Sequence, residues 1–396
     1  MTTSRDVFVV GAARTAIGTY GGTLKDTPLA DLATLAVRTA IERSGAAAGS
    51  IGHLAMGNVI PTEPRDAYLS RVAAINAGLS KETPAFNVNR LCGSGLQAIV
   101  SAAQSVLLGD CELAIGAGAE SMSRGPYHVN SVRWGARMGD AAMVDYTVGI
   151  LHDPFHKIHM GITAENVAEQ FGITRTMMDE LAAESHRRAA KAIAEGRFKS
   201  QIVPVEIVTR KGTLSFDTDE HVKADTTVET LAKMKPAFKK DGGLVTAGNA
   251  SGINDGAAAV VLASAEAVKA GGLKPLARLV AYAHAGVDPK IMGIGPVPAT
   301  QLALKKAGLK VQDLDVIESN EAFAAQACAV VRELDLDPAK VNANGSGISL
   351  GHPVGATGAI ITAKALYELQ RTGGRYALVT MCIGGGQGIA AIFERV

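Results

Sequence analysis

The chain repeats itself. Residues 5–18, "RDVFVVGAARTAIG", and 273–286, "LKPLARLVAYAHAG", are two short β-branched runs that each close on glycine. Each leads into a helix-like segment, "LADLATLAVRTAIERSG" ending at Gly45 and "ATQLALKKAGL" carrying Gly308. Apolar runs ending at Asn58 and Asn320 follow. Next comes a turn that opens a helix, in "RLCGSGLQAIVSAAQSVLLGD" and again in "SLGHPVGATGAIITAKALYEL". The strands "CELAIGAGAES" and "RYALVTMCIGG" complete the two series. Strands alternating with helices predict an α/β fold, a mostly parallel sheet with helices on its faces, built twice.

Residues 121–250 interrupt this order with charged turns such as "RKGTLSFDTDEHVKADTT", while "SGINDGAAAVVLASAEAV" returns to strand followed by helix. The expected organisation is therefore an N-terminal half of 1–120 plus 251–272, an inserted lobe of 121–250, and a C-terminal half of 273–396. A chain of 396 residues is long enough for two or three such units.

Net charge is +1, so no bulk field favours nucleic acid or an anionic membrane. Neither is expected as a partner. No stretch reaches the roughly 18 consecutive apolar residues of a membrane span. The start runs directly into a strand-like segment without a secretory pattern, and the ending "FERV" is no organelle address. Cys92, Cys111, Cys328 and Cys382 form no CxxC pair, which predicts reduced thiols and a cytoplasmic protein.

Chemistry concentrates on the repeated turns. Cys92 in "NRLCGSGLQA" precedes a helix, where the positive end of the dipole would favour thiolate. Most free cysteines are simply small buried hydrophobes. His352 in "SLGHPVGATG" occupies the matching turn of the second half, and alone it would be a structural turn residue. Loops at the carboxyl ends of such strands are where α/β sheets bind ligands. Cys382 ends a strand, and "CIGGGQG" after it offers backbone N–H groups to a developing oxyanion. Asn320 in "ESNEAFA" ends another strand and can orient a water or carbonyl. Two thiols, an imidazole and an amide on such loops point to acyl transfer through a thioester. Cys111 and Cys328 lack glycine-rich turns and are expected to pack.

Two further signals are weaker. His152, His156 and His159 have helical spacing for a metal, but Pro154 breaks the helix and no carboxylate completes a site, so no metal is expected. "GAGAES" supplies the first two glycines of a dinucleotide fingerprint and lacks the third.

Taken together, "NRLCGSGLQA", "ESNEAFAAQ", "LGHPVGATG" and "CIGGGQG", in this order, resemble the thiolases across essentially the whole chain. "HMGITAENVA" and "TAGNASGINDGA" in and beside the lobe extend the likeness. The narrower resemblance is to bacterial β-ketothiolases (acetyl-CoA acetyltransferases) of fatty acid metabolism and polyhydroxyalkanoate synthesis. It implies a duplicated thiolase-like fold and reversible Claisen condensation of acetyl-CoA with acyl-CoA, giving 3-ketoacyl-CoA and CoA. It also implies the roles. Cys92 carries the acyl group, His352 takes its proton, and Cys382 moves the α-proton of the second substrate. Asn320 positions a water in one oxyanion hole, and the N–H groups of Cys92 and Gly384 form another. Ser251, His159 and Leu151 contact pantetheine, while Met160, Met292, Phe238 and Phe323 line the pocket. Lys223 stands where a phosphate-binding arginine is usual, and "NGSGISLGHP" departs from the commoner Gly-Gly-Ala lead-in. Coenzyme A thioesters are substrates and no cofactor is implied. Assembly is expected as a homotetramer, a dimer of dimers, with a dimer as the alternative.

Decarboxylating condensing enzymes share the duplicated fold but use one cysteine, so the second cysteine of "MCIGGG" separates the two. A non-catalytic CoA or lipid-binding module would be expected to have lost a nucleophile or base, and a nicotinamide dehydrogenase would need the full fingerprint.

Overall fold

A computed structural model describes residues 5–210 and 212–396. The first half contributes β1 (Val7–Thr15), α1 (Leu29–Ser44), β2 (His53–Gly57), β3 (Ala85–Val88), α2 (Ser94–Leu108) and β4 (Leu113–Ser121). The lobe contributes α3 (Met160–Gln170) and α4 (Arg175–Ala194), and β5 (Asn254–Ser264) then rejoins the sheet. The second half runs β6 (Ala277–Gly286), α5 (Pro296–Ala307), β7 (Val316–Ser319), α6 (Ala324–Glu333), α7 (Val354–Thr372), β8 (Tyr376–Ile383) and β9 (Gln387–Arg395).

The strands form one sheet in the order β7-β8-β9-β6-β1-β5-β4-β2-β3, with two short strands paired at its side. The repeat is visible in that order. β6 meets β1 at the centre through Phe8↔Arg278 and Val9↔Ala277, and matching strands succeed each other outward on both sides. A mostly parallel sheet is not what forms. Along this path only β2–β3, β2–β4 and β7–β8 are parallel, and the other neighbours are antiparallel. The reason lies in the glycine turn: β8 and β9 are joined by only Gly384–Gly386, and so short a link can only return the chain antiparallel. In the first half β4 and β5 pair in the same sense, but residues 122–253 replace the turn. The lobe thus grows from the counterpart of the glycine turn.

β4 and β5 are buried along their whole length, as strands covered on both faces must be. α1 packs on β1, β4 and β5, and α5 packs equivalently on β6, β8 and β9. α2 and α7 lie against each other, and α7 touches strands of both halves. Every residue of α7 from Val354 to Leu366 is buried, the pattern of a helix inside a protein rather than on it. The window Leu91–Leu108 is long and apolar enough by composition to cross a membrane. Here it is α2, packed on β2, β4 and α7.

Glycine brings these central helices together. A Cβ at Gly95 would lie 2.7 Å from Ala359 N, and one at Gly358 would lie 2.8 Å from Leu96 Cβ. Backbone therefore packs on backbone where the two halves cross. "GAGAES" is explained the same way. It lies within β4 rather than in a turn, and Cβ atoms at Gly116 and Gly118 would run into α2 and α7. It is a packing surface, not a phosphate loop.

Candidate active site

The close crossing of α2 and α7 sets the turns before them side by side. Cys92 lies two residues before α2, in a braced turn. Leu91 takes a positive φ of 45°. Asn89 Oδ1 accepts from Leu91 N at 3.0 Å, Ser94 Oγ accepts from Arg90 N at 2.8 Å, and that hydroxyl donates to Leu91 O at 2.7 Å. Gly93 packs closely on the end of β8, where an added Cβ would stand 2.5 Å from Ile383 Cδ1. Cys92 therefore abuts the end of β8, and the Gly384 N–H faces it there, an interaction that favours the thiolate. The expectation that the helix start favours thiolate is not met at rest. Burial pushes the Cys92 thiol up and outweighs the hydrogen bonds from Gly384 and its own amide, because the sulfur precedes the helix and is packed.

His352 follows a short helical turn, Gly347–Leu350, through Gly351 at φ 108°. Its own N–H donates to Asn254 Oδ1 at 2.9 Å, and Asn254 Nδ2 donates to Gly18 O at 3.0 Å. The first half thereby holds the main chain of a second-half residue. The imidazole is buried, with Nε2 3.4 Å from Asn320 Nδ2 and Nδ1 2.6 Å from Thr357 Oγ1. Burial pushes its pKa down to about 4, so at neutral pH it is an uncharged base.

Asn320 leaves the end of β7, its N–H donating to Thr380 O at 3.0 Å and its carbonyl accepting from Gln326 Nε2 at 3.2 Å. Its Oδ1 is buried without a protein partner, an acceptor able to serve a water or a substrate group. Cys382, opposite Gly388 near the end of β8, is fully buried. Burial, and next the charge of Cys92, push its thiol far up. The two sulfurs feel each other, so they resist ionising together.

An apolar wall adjoins these groups. Met160, Met292, Phe323 and Cys382 belong to one buried cluster, with Phe238 packed against it. A Cβ at Gly384 would touch Met160 Cε at 3.4 Å, which places the methionine over the glycine turn. His159 caps α3, accepting from Gly161 N at 3.0 Å, and stacks on Phe238 at 4.6 Å between ring centroids. Burial pushes its pKa down to about 4. Phe238 meets Phe323 edge-on at 6.2 Å. Leu151 O accepts from Met160 N at 2.8 Å, and Ser251 N donates to Ala322 O at 3.0 Å. Both are therefore tied to the walls of this pocket. Lys223 is exposed, its backbone N–H donating to His186 Nδ1 at 3.2 Å.

Among the described residues no group of three His, Cys, Asp or Glu is placed to hold a metal. His156 bonds Asp153, and His152 bonds Val148 O, on a turn rather than one helical face. Cys328 Sγ lies 3.7 Å from Met177 O, and Cys111 packs beside Gly52.

The sequence reading passed over three residues. Asn254 was one, and Thr357 another. Glu120, fully buried at the end of β4, accepts from Asn58 Nδ2 at 2.8 Å, Val59 N at 3.1 Å, Ile60 N at 3.0 Å and Gly355 N at 2.8 Å. It ties the loop after β2 to the first turn of α7. Burial pushes its carboxyl up to about 8 against the three main-chain donors, Ile60, Gly355 and Val59. The glycines of "HPVGATG" were the available signal, because Gly355 has no room for a Cβ beside that carboxylate.

The chain matches two family models, the thiolase N-terminal domain over residues 7–266 and the thiolase C-terminal domain over residues 273–395. It is 66% identical over 393 residues to beta-ketothiolase BktB of Cupriavidus necator, covering 99% of this chain and 100% of that protein. To the acetyl-CoA acetyltransferase of Pseudomonas aeruginosa it is 50% identical over 393 residues, with 99% and 100% covered. Human mitochondrial 3-ketoacyl-CoA thiolase in complex with CoA superposes with a TM-score of 0.96 at 46% identity, over 99% of this chain and 98% of that one.

Proposed function

The chain belongs to the thiolase family, and from that premise we propose how this site works. The protein is a β-ketothiolase, an acetyl-CoA C-acyltransferase that joins acetyl-CoA to an acyl-CoA reversibly. One observation carries the mechanism: the Cys92 turn of the first half is packed on the end of β8, where an added Cβ at Gly93 would stand 2.5 Å from Ile383 Cδ1. Cys92 thereby faces the Gly384 N–H, two residues beyond Cys382 of the second half. The nucleophile is thus docked on the turn that bears the other thiol.

In the first half-reaction the neutral imidazole of His352 takes the Cys92 proton, and the sulfur attacks the thioester carbonyl. The N–H groups of Cys92 and Gly384 receive the negative charge that develops on oxygen, a contribution of about 3 kcal/mol per donor. The tetrahedral adduct collapses to acyl-Cys92, and the departing CoA takes the proton of the Cys382 thiol. This leaves Cys382 as the thiolate and His352 still carrying the proton it took from Cys92. In the second half-reaction the Cys382 sulfur removes an α-proton from acetyl-CoA. The enolate oxygen is held by His352 and by a water on Asn320, and its carbon attacks acyl-Cys92. The Cys92 sulfur is released and takes its proton back from His352, and 3-ketoacyl-CoA forms. Side chains and main chain suffice for these steps, so coenzyme A thioesters enter as substrates alone.

We assign the face of the lobe around His159, Phe238, Leu151 and Ser251 to pantetheine, with Met160, Met292 and Phe323 against the acyl group and Lys223 toward the phosphates. Trp134, Met138 and Met143 are largely exposed on one polar segment of the lobe. They support self-association, for which we propose a homotetramer. A cytoplasmic role in 3-ketoacyl-CoA supply, including polyhydroxyalkanoate synthesis, fits this reading. The test is rapid-quench mass spectrometry after mixing with acetyl-CoA alone. An acetyl group on the Cys92 peptide, absent in Cys92→Ser, is expected. An enzyme that thiolyses acetoacetyl-CoA without forming that adduct would overturn the mechanism.

A further inference from the structure

We propose that Thr357 is a positioning residue that holds the His352 ring and, with Asn320, fixes its tautomer, so that Nδ1 keeps its proton and Nε2 faces Cys92 chemistry as the base. The proposal deepens the acyl-transfer reading and rests on it. Thr357 sits in the first turn of α7, is buried, and belongs to the same turn as the histidine it supports.

The argument comes from both ends of the imidazole. At one end Thr357 Oγ1 stands 2.6 Å from Nδ1 and 2.9 Å from Pro353 O. A hydroxyl has one proton, and a carbonyl oxygen can only accept. If the hydroxyl donates to Pro353 O, its lone pair must accept from Nδ1–H. Pro353 O also takes the main-chain N–H groups of Ala356 and Thr357, both at 2.9 Å, so this end fixes the ring more firmly than its proton. At the other end Nε2 lies 3.4 Å from Asn320 Nδ2, a group that can only donate. With the amide in this orientation, that nitrogen meets a lone pair on Nε2. Both ends therefore agree on Nδ1–H. An imidazole held this way can take the Cys92 proton at Nε2 without losing its bond to Thr357, since Nδ1–H donates before and after the transfer.

Sequence position hides the role. Thr357 is five residues from His352, and a threonine bonding the carbonyl four residues back is ordinary helix behaviour. Only the hydroxyl's second partner, Nδ1, makes it more than that.

The experiment has two parts. In wild-type protein labelled with 15N-histidine, the His352 signals, identified by their loss in His352→Asn, should show Nδ1 protonated and Nε2 unprotonated at pH 7. The reverse pattern overturns the proposal whatever any variant does. Thr357→Val and Thr357→Ser are then compared by rapid-quench acetylation of Cys92. Thr357→Val should acetylate at least about tenfold more slowly, within the range that general-base catalysis supplies. Its apparent affinity for acetyl-CoA should be unchanged within about twofold, because pantetheine contacts are not touched. Thr357→Ser should restore most of the rate. Thr357→Val acetylating at the wild-type rate, or Thr357→Ser as slow as Thr357→Val, overturns the role of the hydroxyl. Should wild type form no acetyl-Cys92, the acyl-transfer reading fails, while the 15N pattern still decides the tautomer.

Discussion

Gly95 in α2 lies so close to Ala359 in α7 that a Cβ on the glycine would stand 2.7 Å from the Ala359 nitrogen. This contact between the halves also fixes the spacing of the turns carrying Cys92 and His352, which precede the same two helices. Gly95→Ala must push backbone from backbone. A loss of about 1–3 kcal/mol in stability is expected from overpacking, with thiolysis of acetoacetyl-CoA reduced well beyond the fraction unfolded. Gly49→Ala, with nothing within 4 Å of its added carbon, is the control that should change neither. Calorimetry and steady-state kinetics on both variants check it. Wild-type activity in Gly95→Ala would show that the crossing does not set the site.

The glycine turn makes a second, graded case. At Gly384 an added Cβ would meet only side-chain ends, Leu91 Cδ1 at 3.3 Å and Met160 Cε at 3.4 Å, and methionine yields readily. Gly386 instead has φ 83°, and its Cβ would lie 2.8 Å from Pro289 N. Gly384→Ala should fold and narrow the acyl pocket, losing rate with longer 3-ketoacyl-CoA substrates more than with acetoacetyl-CoA. Gly386→Ala should lose stability or soluble expression. A uniform loss across chain lengths in Gly384→Ala would remove Met160 from the pocket wall.

Acid lability follows from His352. Burial holds its pKa at about 4 against an ordinary 6.5. Between these values the unfolded chain binds a proton that the folded one refuses, so stability falls as pH drops from about 6.5 toward 4. The slope is at most about 1.4 kcal/mol per pH unit for one proton. His352→Asn should remove that share of the slope in denaturant titrations at several pH values. His159, His186 and His284 are also held at about 4; His159 and His284 are half-buried, which makes their shares smaller, whereas His186 is buried and adds to the same slope. The same neutrality predicts that Cys92 acetylation keeps its rate down to about pH 5, since the base stays unprotonated until near its pKa. An unchanged slope in His352→Asn would mean that the imidazole is not buried neutral.

The order of strands and helices was legible because β-branched runs, glycine caps and helical periodicity are local signals, and the repeat doubled each of them. Strand direction was not. Whether β4 and β5 run parallel depends on a pairing across more than a hundred intervening residues, and no local pattern reports it. Cys92, His352, Cys382 and Asn320 stood out through their turns and motifs. Glu120 and Asn254 did not, because a buried polar side chain announces itself only through partners distant in sequence, here Gly355 and His352. The protonation of Cys92 was misjudged for a related reason. A helix start is readable in sequence, whereas the packing that desolvates the sulfur is not.

The last prediction separates the two thiols. The Cys382 thiol is held protonated first by burial and then by the charge that Cys92 carries whenever it is a thiolate. Acylation of Cys92 turns that sulfur into a thioester that cannot ionise, so no thiolate there opposes one at Cys382 when the α-proton has to be moved. The half-reactions are therefore ordered by electrostatics as well as by chemistry. Cys382→Ser should still acquire acetyl on Cys92, though it should not exchange the methyl protons of acetyl-CoA with deuterated water, because a serine hydroxyl is too weak a base at neutral pH. Cys92→Ser should form no acetyl-enzyme yet keep some exchange, since its serine leaves no charge facing Cys382. Loss of turnover alone cannot distinguish the roles, because either substitution should slow the full cycle by about two orders of magnitude or more. The comparison that decides is acetyl transfer against proton exchange in both variants, by quench mass spectrometry and by proton NMR. Wild-type exchange in Cys382→Ser would take the α-proton away from Cys382 and give it to another base.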